Sequence, residues 1–405
     1  MLLLLLLMVQ HAAVTAEVVK VATALGQLAC EDVMGGMGVQ CLGVPFAAPP
    51  VGDRRWRPPA NASTWVGVRN STYARPICIQ AGRAPVAGQT DEDCLYLDVF
   101  MPRTPPPSPS GYPVMIWLHG GSFATGSAQN ASSFVELSRQ LTRPVVWVGV
   151  NYRLNVFGFL GGAALASRDP DGSFGNYGLQ DQRAAMRFVK ANIASFGGDA
   201  SRVTIDGCSA GAGSVANHIT NRRSWPYFHQ AAAHSGMMAA WNSKPLNASQ
   251  QLYGLVAQHS GCPSGEAPAA VGCMVHNRTA AQIVAAAAAA YAADKVPKPR
   301  AFPSAYPQRY RPTPPCAHGT PHISRYIYLV VMCASHLTGR VSCGALKDSF
   351  GWGPVEDGVE VLGPPNSLAR QGHLFGGPLL LGTAKDGERG VSSPTAVCKT
   401  DRYTL

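Results

Sequence analysis

Long apolar runs are scarce in this chain of 405 residues. Beyond the first few positions no stretch reaches the roughly 18 apolar residues that a bilayer span requires, and residues 326–334 fall well short. A transmembrane segment is therefore not expected, and the mature chain reads as soluble. Charge is sparse as well: Asp, Glu, Lys and Arg make up 14% of the residues against 46% hydrophobic ones. Such a chain can bury a large core, and α/β architectures of this size often form one domain. Acidic residues are the scarcer sign, 23 against 33 basic ones, for a net charge of +10. They are absent between Lys295 and Lys347, where eight Lys or Arg stand, so this one segment carries most of the excess. Elsewhere the chain is near neutral. It has no repeat and no basic stripe of the kind that tracks phosphates, which argues against a nucleic-acid partner.

Cysteine, by contrast, is plentiful. Eleven cysteines all lie after residue 16, which suits an oxidising compartment, and the odd count leaves at least one outside any internal pair. The first residues, MLLLLLLMVQHAAVTAE, give an apolar run from Leu2 to Val9 and then small residues, with Val14 and Ala16 before a cut preceding Glu17. Residues 1–16 thus read as a signal peptide, a buried N-terminal helix or strand being the alternative. Five N-x-S/T sequons, at Asn61, Asn70, Asn130, Asn247 and Asn277, are candidate glycan sites if the chain is exported, and their number supports secretion.

Hydrophobic patterning predicts buried strands at 113–118, 144–150, 203–205, 230–234 and 378–381. A helical pattern runs from Tyr177 to Ser195 and stops at Gly197-Gly198, and an alanine-rich packing helix is expected at 280–293. Strands alternating with helices imply a largely parallel sheet covered on both faces. From about 296 to 343, proline, arginine and cysteine accumulate without a period. So long a structureless insert in a compact domain reads either as a flexible loop or as sequence foreign to the fold, such as translated non-coding sequence. The expected organisation is one domain over 17–390 with that insert, then a tail at 391–405.

Two motifs carry chemistry. Gly207-x-Ser209-x-Gly211, after a strand and opening a helix, is a nucleophile elbow: its glycines let strand and helix approach closely, so that the serine oxygen stands exposed. His119-Gly120-Gly121-Ser122 follows another strand. Acyl transfer builds negative charge on the carbonyl oxygen, and removing one N–H donor aimed at that charge typically costs about 2.7–4 kcal/mol. The N–H groups of Gly121, Ser122 and Ala210 are the candidate oxyanion hole.

With these motifs in view, the chain resembles the type-B carboxylesterase and cholinesterase family, of the α/β-hydrolase fold. The strings that carry the resemblance are Gly43-Val-Pro-Phe-Ala-Ala-Pro-Pro-Val-Gly52, Glu92-Asp-Cys-Leu-Tyr-Leu97, Trp117-Leu-His-Gly-Gly121, Asn151-Tyr-Arg153 and Gly175-Asn-Tyr-Gly-Leu-Gln-Asp-Gln182. They continue with Phe196-Gly-Gly-Asp199, Ser209-Ala-Gly211, Ser235-Gly236, Pro354-Val-Glu-Asp-Gly358 and Leu381-Gly382. The resemblance implies disulfides Cys78–Cys94 and Cys262–Cys273, with Cys30 and Cys41 pairing across a hairpin. It also implies buried ion pairs Arg55–Glu92 and Arg153–Asp181, which spacing alone would leave as surface charges. No metal or organic cofactor is implied.

Three departures from the family pattern stand out. Cys208 occupies the position before the nucleophile where the family usually has glutamate, and a thiol there cannot supply that negative charge. After Leu381-Gly382 the family reads Asp-Glu-Gly with the glutamate catalytic, whereas this chain reads Lys385-Asp386-Gly387-Glu388. The acid is then Glu388 after a one-residue loop shift, or Asp386, unless both are merely solvated. The family's base histidine lies far beyond the acid in a Gly-x-x-His setting, while this sequence stops at Leu405 and none of its eleven histidines has that context. The chain therefore reads as truncated before the base. His119 reads as a structural residue that orients the oxyanion loop.

Two functions are compatible with this pattern. One is a serine esterase hydrolysing small carboxylic esters through an acyl-enzyme on Ser209, of which this sequence is a shortened version. The alternative is a catalytically inactive binding or adhesion relative like the neuroligins. No tryptophan stands between Cys78 and Cys94 to hold a quaternary ammonium, which disfavours choline esters.

Overall fold

The computed structural model describes residues 18–238, 242–263, 268–292 and 352–382. The expected signal peptide, the insert at 296–343, Asp386, Glu388 and the tail lie outside the described residues. The N-terminal part contributes β1 (Val18–Thr23), β2 (Gly26–Val33), β3 (Gly38–Pro45), β4 (Val68–Asn70), a small separate pair of β5 (Ile77–Cys78) with β6 (Thr90–Asp91), and β7 (Tyr96–Pro102). The strands β8 (Tyr112–Leu118), β9 (Val146–Val150), β10 (Gly198–Cys208), β11 (Gln230–His234) and β12 (Leu379–Gly382) follow. Together they form a ten-stranded sheet in the order β1-β2-β3-β7-β9-β8-β10-β11-β12, with β4 added beside β2. The half from β9 to β12 is parallel, and the half from β1 to β9 is antiparallel apart from β4, which runs parallel to β2.

Successive side chains of a strand point to opposite faces, so strands covered on both sides read as continuous apolar runs. β8 and β9 illustrate this. Val114, Ile116 and Leu118 join Val146, Val148 and Val150 in the larger core, with Met186 and Val189 of α3 (Tyr177–Asn192) and Val215 and Ile219 of α4 (Ala210–Thr220). Trp117 and Trp147 face the other way, into a smaller cluster with Phe100 and with Phe134 and Val135 of α1 (Ser132–Gln140). Helices therefore cover both faces. The remaining helices, numbered here in chain order, are α2 (Asn155–Phe159) between α1 and α3, then α5 (Leu246–His259), α6 (Pro268–His276), α7 (Ala280–Ala292) and α8 (Pro365–Arg370).

Two elements differ from the pattern-based expectation by more than two residues at an end. The strand expected at 203–205 is the apolar part of a longer β10 in which Gly198 pairs with Tyr112 and Val203 with Val114 of β8, the polar Asp199, Ser201 and Arg202 lying in the register shift between them. The helix from Tyr177 ends at Asn192 and tightens into a 3₁₀ turn, Ile193–Phe196, closed by Gly197 in the left-handed region at φ 72°.

Three disulfides close local loops: Cys30–Cys41 across the β2–β3 hairpin, Cys78–Cys94 and Cys262–Cys273. Residues 352–382 dock onto the same core. Asn176 and the Val355 backbone exchange two hydrogen bonds of 2.8 and 2.9 Å, and the Asp357 carboxylate accepts from Ser173 Oγ at 2.7 Å and from the Glu360 and Val361 N–H groups at 2.9 Å.

Candidate active site

β8 and β10 are parallel neighbours, so the loops leaving their C-terminal ends meet above the same edge of the sheet. Ser209 stands where β10 turns into α4, half-buried, with φ 56° and ψ −119°. A side-chain-bearing residue is held there only at a cost of about 1–3 kcal/mol, which the surrounding packing must offset. The two glycines of the motif make the turn possible: a Cβ on Gly207 would lie 2.5 Å from the Gly211 backbone, and one on Gly211 would run into the Leu118 carbonyl. The Ser209 N–H is fixed by the His234 carbonyl at 2.9 Å. α4, buried along its whole length, points its N-terminus at this turn, so its partial positive charge faces the Ser209 side.

The loop after β8 lies directly over the turn. A Cβ on Gly120 would lie 3.2 Å from the Ser209 Cβ and 2.7 Å from the Cys208 carbonyl. Gly121, Ser122 and Phe123 follow at φ 112°, 56° and 57°, three successive residues at positive φ. The Gly121 carbonyl accepts from the N–H groups of Ala124 and Thr125, both at 2.9 Å, and so is turned inward. Among the described residues, the N–H groups of Gly121, Ser122 and Ala210 donate to no protein acceptor. His119 is buried; its Nδ1 donates to the Gly120 carbonyl at 2.8 Å and its ring stacks on Tyr152 at 4.3 Å. The Tyr152 hydroxyl donates to the His119 carbonyl at 2.7 Å, so residues 119 and 120 are locked to the end of β9.

Among the described residues no histidine is hydrogen-bonded to the Ser209 hydroxyl, and His218, His229, His234 and His276 have partners elsewhere. His218 in α4 receives the Ser224 hydroxyl proton at 2.9 Å and donates Nε2–H to Gln182 Oε1 at 2.9 Å. Burial, helped by the nearby Arg183 charge, lowers its pKa to about 3 and so keeps the ring neutral; with Nε2–H given to Gln182, Nδ1 is the acceptor for Ser224. His234 at the end of β11 pairs with the buried Asp206 of β10 at 2.9 Å. His229, His259 and His276 are exposed. Cys208 is half-buried against the Trp117 and Trp147 cluster.

The charged pairs implied by the resemblance are formed and shielded from water. Arg55 and Glu92 make a two-pronged pair at 2.7 and 2.6 Å, and Arg55 also donates to the Met274 and Arg278 carbonyls. Arg153 and Asp181 pair at 2.8 and 2.7 Å with side-chain exposures of 3% and 0%, and burial still raises the Asp181 pKa against the pull of Arg153. Several contributors have no sequence signal: the Gln80 contacts to Gly126, the Asp206–His234 pair, and Glu360, which is buried between Arg183 and Asn221. Their partners lie on distant segments, and no local motif marks them. Among the described residues no group of His, Cys, Asp and Glu could hold a metal ion, and no helix is long and apolar enough to cross a membrane.

Comparison with known proteins agrees with this geometry. The model of the carboxylesterase family matches residues 17–314, running into the Pro/Arg-rich stretch. A fumonisin B1 esterase of Sphingopyxis macrogoltabida is 44% identical over 201 residues, covering 49% of this chain and 36% of that protein. The pyrethroid hydrolase Ces2a of Mus musculus is 38% identical over 245 residues, covering 58% of this chain and 42% of its own length. A juvenile hormone esterase of Tribolium castaneum is 40% identical over 225 residues, 54% and 36% respectively. Among solved structures, carboxylesterase EST55 of Geobacillus stearothermophilus superposes with a TM-score of 0.65 at 28% identity over 91% of this chain and 61% of that one. A PNB esterase gives 0.66 at 26% identity, 92% and 66%. The matched regions thus span only 36–42% of the length of these curated relatives. On the match of its sequence over residues 17–314, the chain belongs to the carboxylesterase family.

Proposed function

We propose that this protein is a carboxylic-ester hydrolase that works through an acyl-enzyme on Ser209. The observation that carries the reading is the juxtaposition at the elbow: a strained, part-exposed serine beneath a loop whose Gly121 and Ser122 N–H groups, with that of Ala210, have no protein acceptor among the described residues. Ser209 Oγ attacks the ester carbonyl, its proton passes to a base and then to the departing alcohol, and the carbonyl oxygen gathers negative charge where the three N–H groups point. Water then hydrolyses the acyl-serine by the same steps. Glu388, or Asp386 in its place, is the acid of this reading, and the base is assigned to a residue outside the described set. No metal or organic cofactor is called for.

The substrate class is a small carboxylic ester, in keeping with the esterases and hydrolases among its relatives. Secretion is part of the same proposal. It is supported by three disulfides and by the exposure of all five sequon asparagines, Asn61, Asn70, Asn130, Asn247 and Asn277. The test is turnover of an activated ester by the protein expressed from its complete gene. Ser209→Ala is expected to lose about 10⁴-fold or more of kcat. Turnover within a few-fold of the parent would remove Ser209 from the role.

A further inference from the structure

The loop over Ser209 is held from outside by one side chain that no motif singles out. Gln80 stands two residues beyond Cys78, inside the segment closed by the Cys78–Cys94 disulfide. Its amide clasps Gly126 at both polar atoms: the Gly126 N–H donates to Oε1 at 2.7 Å, and Nε2 donates to the Gly126 carbonyl at 3.2 Å. Nε2 also donates to the Cys78 carbonyl at 2.6 Å, so the amide is anchored to the disulfide's own backbone. Next to it, the Ala81 N–H donates to the Ala124 carbonyl at 2.8 Å. Gly126 in turn abuts the base of the loop. It sits at φ 111°, and a Cβ there would strike the His119 ring and lie 2.5 Å from the Gly120 carbonyl. Gly120 itself faces Ser209: a Cβ there would lie 3.2 Å from the Ser209 Cβ.

A contiguous chain of contacts therefore runs from the disulfide through Gln80 and Gly126 to the Gly120–Ser122 turn. That turn needs such support, because two consecutive non-glycine residues at positive φ persist only where their surroundings over-determine them. Glutamine suits the place chemically. It supplies an acceptor and a donor on one rigid plane, whereas glutamate offers no donor and asparagine is one methylene short.

We infer that Gln80 is a positioning residue of the oxyanion loop: it sets where the Gly121 and Ser122 N–H groups stand relative to Ser209, and the Cys78–Cys94 disulfide sets where Gln80 stands. The inference rests on the esterase reading above for its catalytic consequence, but not for its structural one. Donors that stabilise a transition state act within a few tenths of an ångström, so loosening them lowers kcat while leaving ground-state binding nearly untouched.

The experiment compares the parent with Gln80→Ala and Gln80→Glu, all expressed from the complete gene. Three quantities are read: kcat and KM separately on an activated ester, amide hydrogen exchange of the peptide covering 119–128, and the thermal midpoint. For Gln80→Ala, kcat is expected to fall about 10- to 100-fold with KM within about twofold. Exchange is expected to quicken in 119–128. Gln80→Glu keeps the side-chain length but turns a carboxylate toward the Cys78 and Gly126 carbonyls. Its kcat relative to the parent is expected to recover as pH falls and the carboxyl regains a donor, a response that mere loss of packing would not give. Unaltered kcat together with unaltered exchange in 119–128 would overturn the assignment, as would a change confined to KM. If the parent itself turns over no ester, the esterase reading fails. The exchange data still decide whether Gln80 holds the loop: quickening confined to 119–128 upholds that structural role, and unchanged exchange removes it.

Discussion

At the scale of single residues, the elbow concentrates its constraints on atoms that cannot move. Ser209 is held at φ 56° because a strand and a helix are joined there without an intervening loop, and the strain is tolerated because Gly207 and Gly211 leave the two backbones in contact. A methyl group on Gly211 would meet the Leu118 carbonyl, and Leu118 is held in β8 between its register partners Gly207 and Val150, so neither side can give way cheaply. Gly211→Ala is therefore expected to destabilise the protein by about 1–3 kcal/mol or more. A fall in the urea midpoint would show it, and an unchanged midpoint would mean that the turn is looser than its geometry indicates. The buried charges follow a similar logic. Asp181 is fully enclosed, and its carboxylate is tolerable only because Arg153 grips both oxygens while the Arg153 backbone N–H donates at 3.0 Å.

At the scale of elements, α3 and α4 are tied by a polar thread through an otherwise apolar contact. Gln182 receives the His218 Nε2 proton and donates to Ser214 Oγ at 3.0 Å, and Ser214 passes a bond of 3.1 Å to the Ala210 carbonyl at the start of α4. His218 is neutral in this thread, with its pKa pushed down to about 3 from an ordinary value of 6.5. Between those values the unfolded chain binds a proton that the folded chain does not, so stability falls as pH drops from about 6.5 toward 3. Asp98 works in the opposite direction. Burial lifts its pKa to about 6 against the bond from the Gly43 N–H, so between about 4 and 6 the folded state holds the extra proton, and stability falls as pH rises. The histidine contribution is isolated by comparing the parent with His218→Gln in urea melts across pH 3–7. The variant is expected to show the shallower loss of stability on acidification, and parallel curves would contradict a buried neutral His218.

These elements were unequally legible in the sequence. The strand at 230–234 and the apolar ends of β8 and β9 follow from their runs of Val, Ile, Ala and Trp, because doubly covered strands have no polar face to disguise them. The polar half of β10 was not legible, since Ser201 and Arg202 are exposed there and lie in an irregularity between the paired Gly198 and Val203. Within the proposed site, Ser209, Gly121, Ser122 and Ala210 were marked by local glycine patterns. Gln80 with Gly126 and Asp206 with His234 were not, because each pair is created by folding distant segments together and neither residue type is distinctive alone.

At the scale of the whole molecule, one mixed sheet brings every described part of the account to a single edge. The parallel half presents the ends of β8 and β10, and the Cys78–Cys94 loop, which leads into β7, bonds to the turn after β8 through Gln80 and Ala81. Residues 352–382 close over α3 and α4 through Asn176, Asp357 and the Arg183–Glu360 pair at 2.8 Å, and add β12 beside β11. Gly353 lies 3.2 Å, at an added Cβ, from the Phe123 ring, so this segment also backs the loop over Ser209. The central claim is that this assembly activates Ser209, and the most direct measurement is covalent labelling. The protein expressed from its complete gene is treated with a fluorophosphonate, and the adduct is located by peptide mass spectrometry. The account predicts a single adduct, on Ser209, absent from Ser209→Ala. An adduct on another residue, or equal labelling of Ser209→Ala, would contradict it.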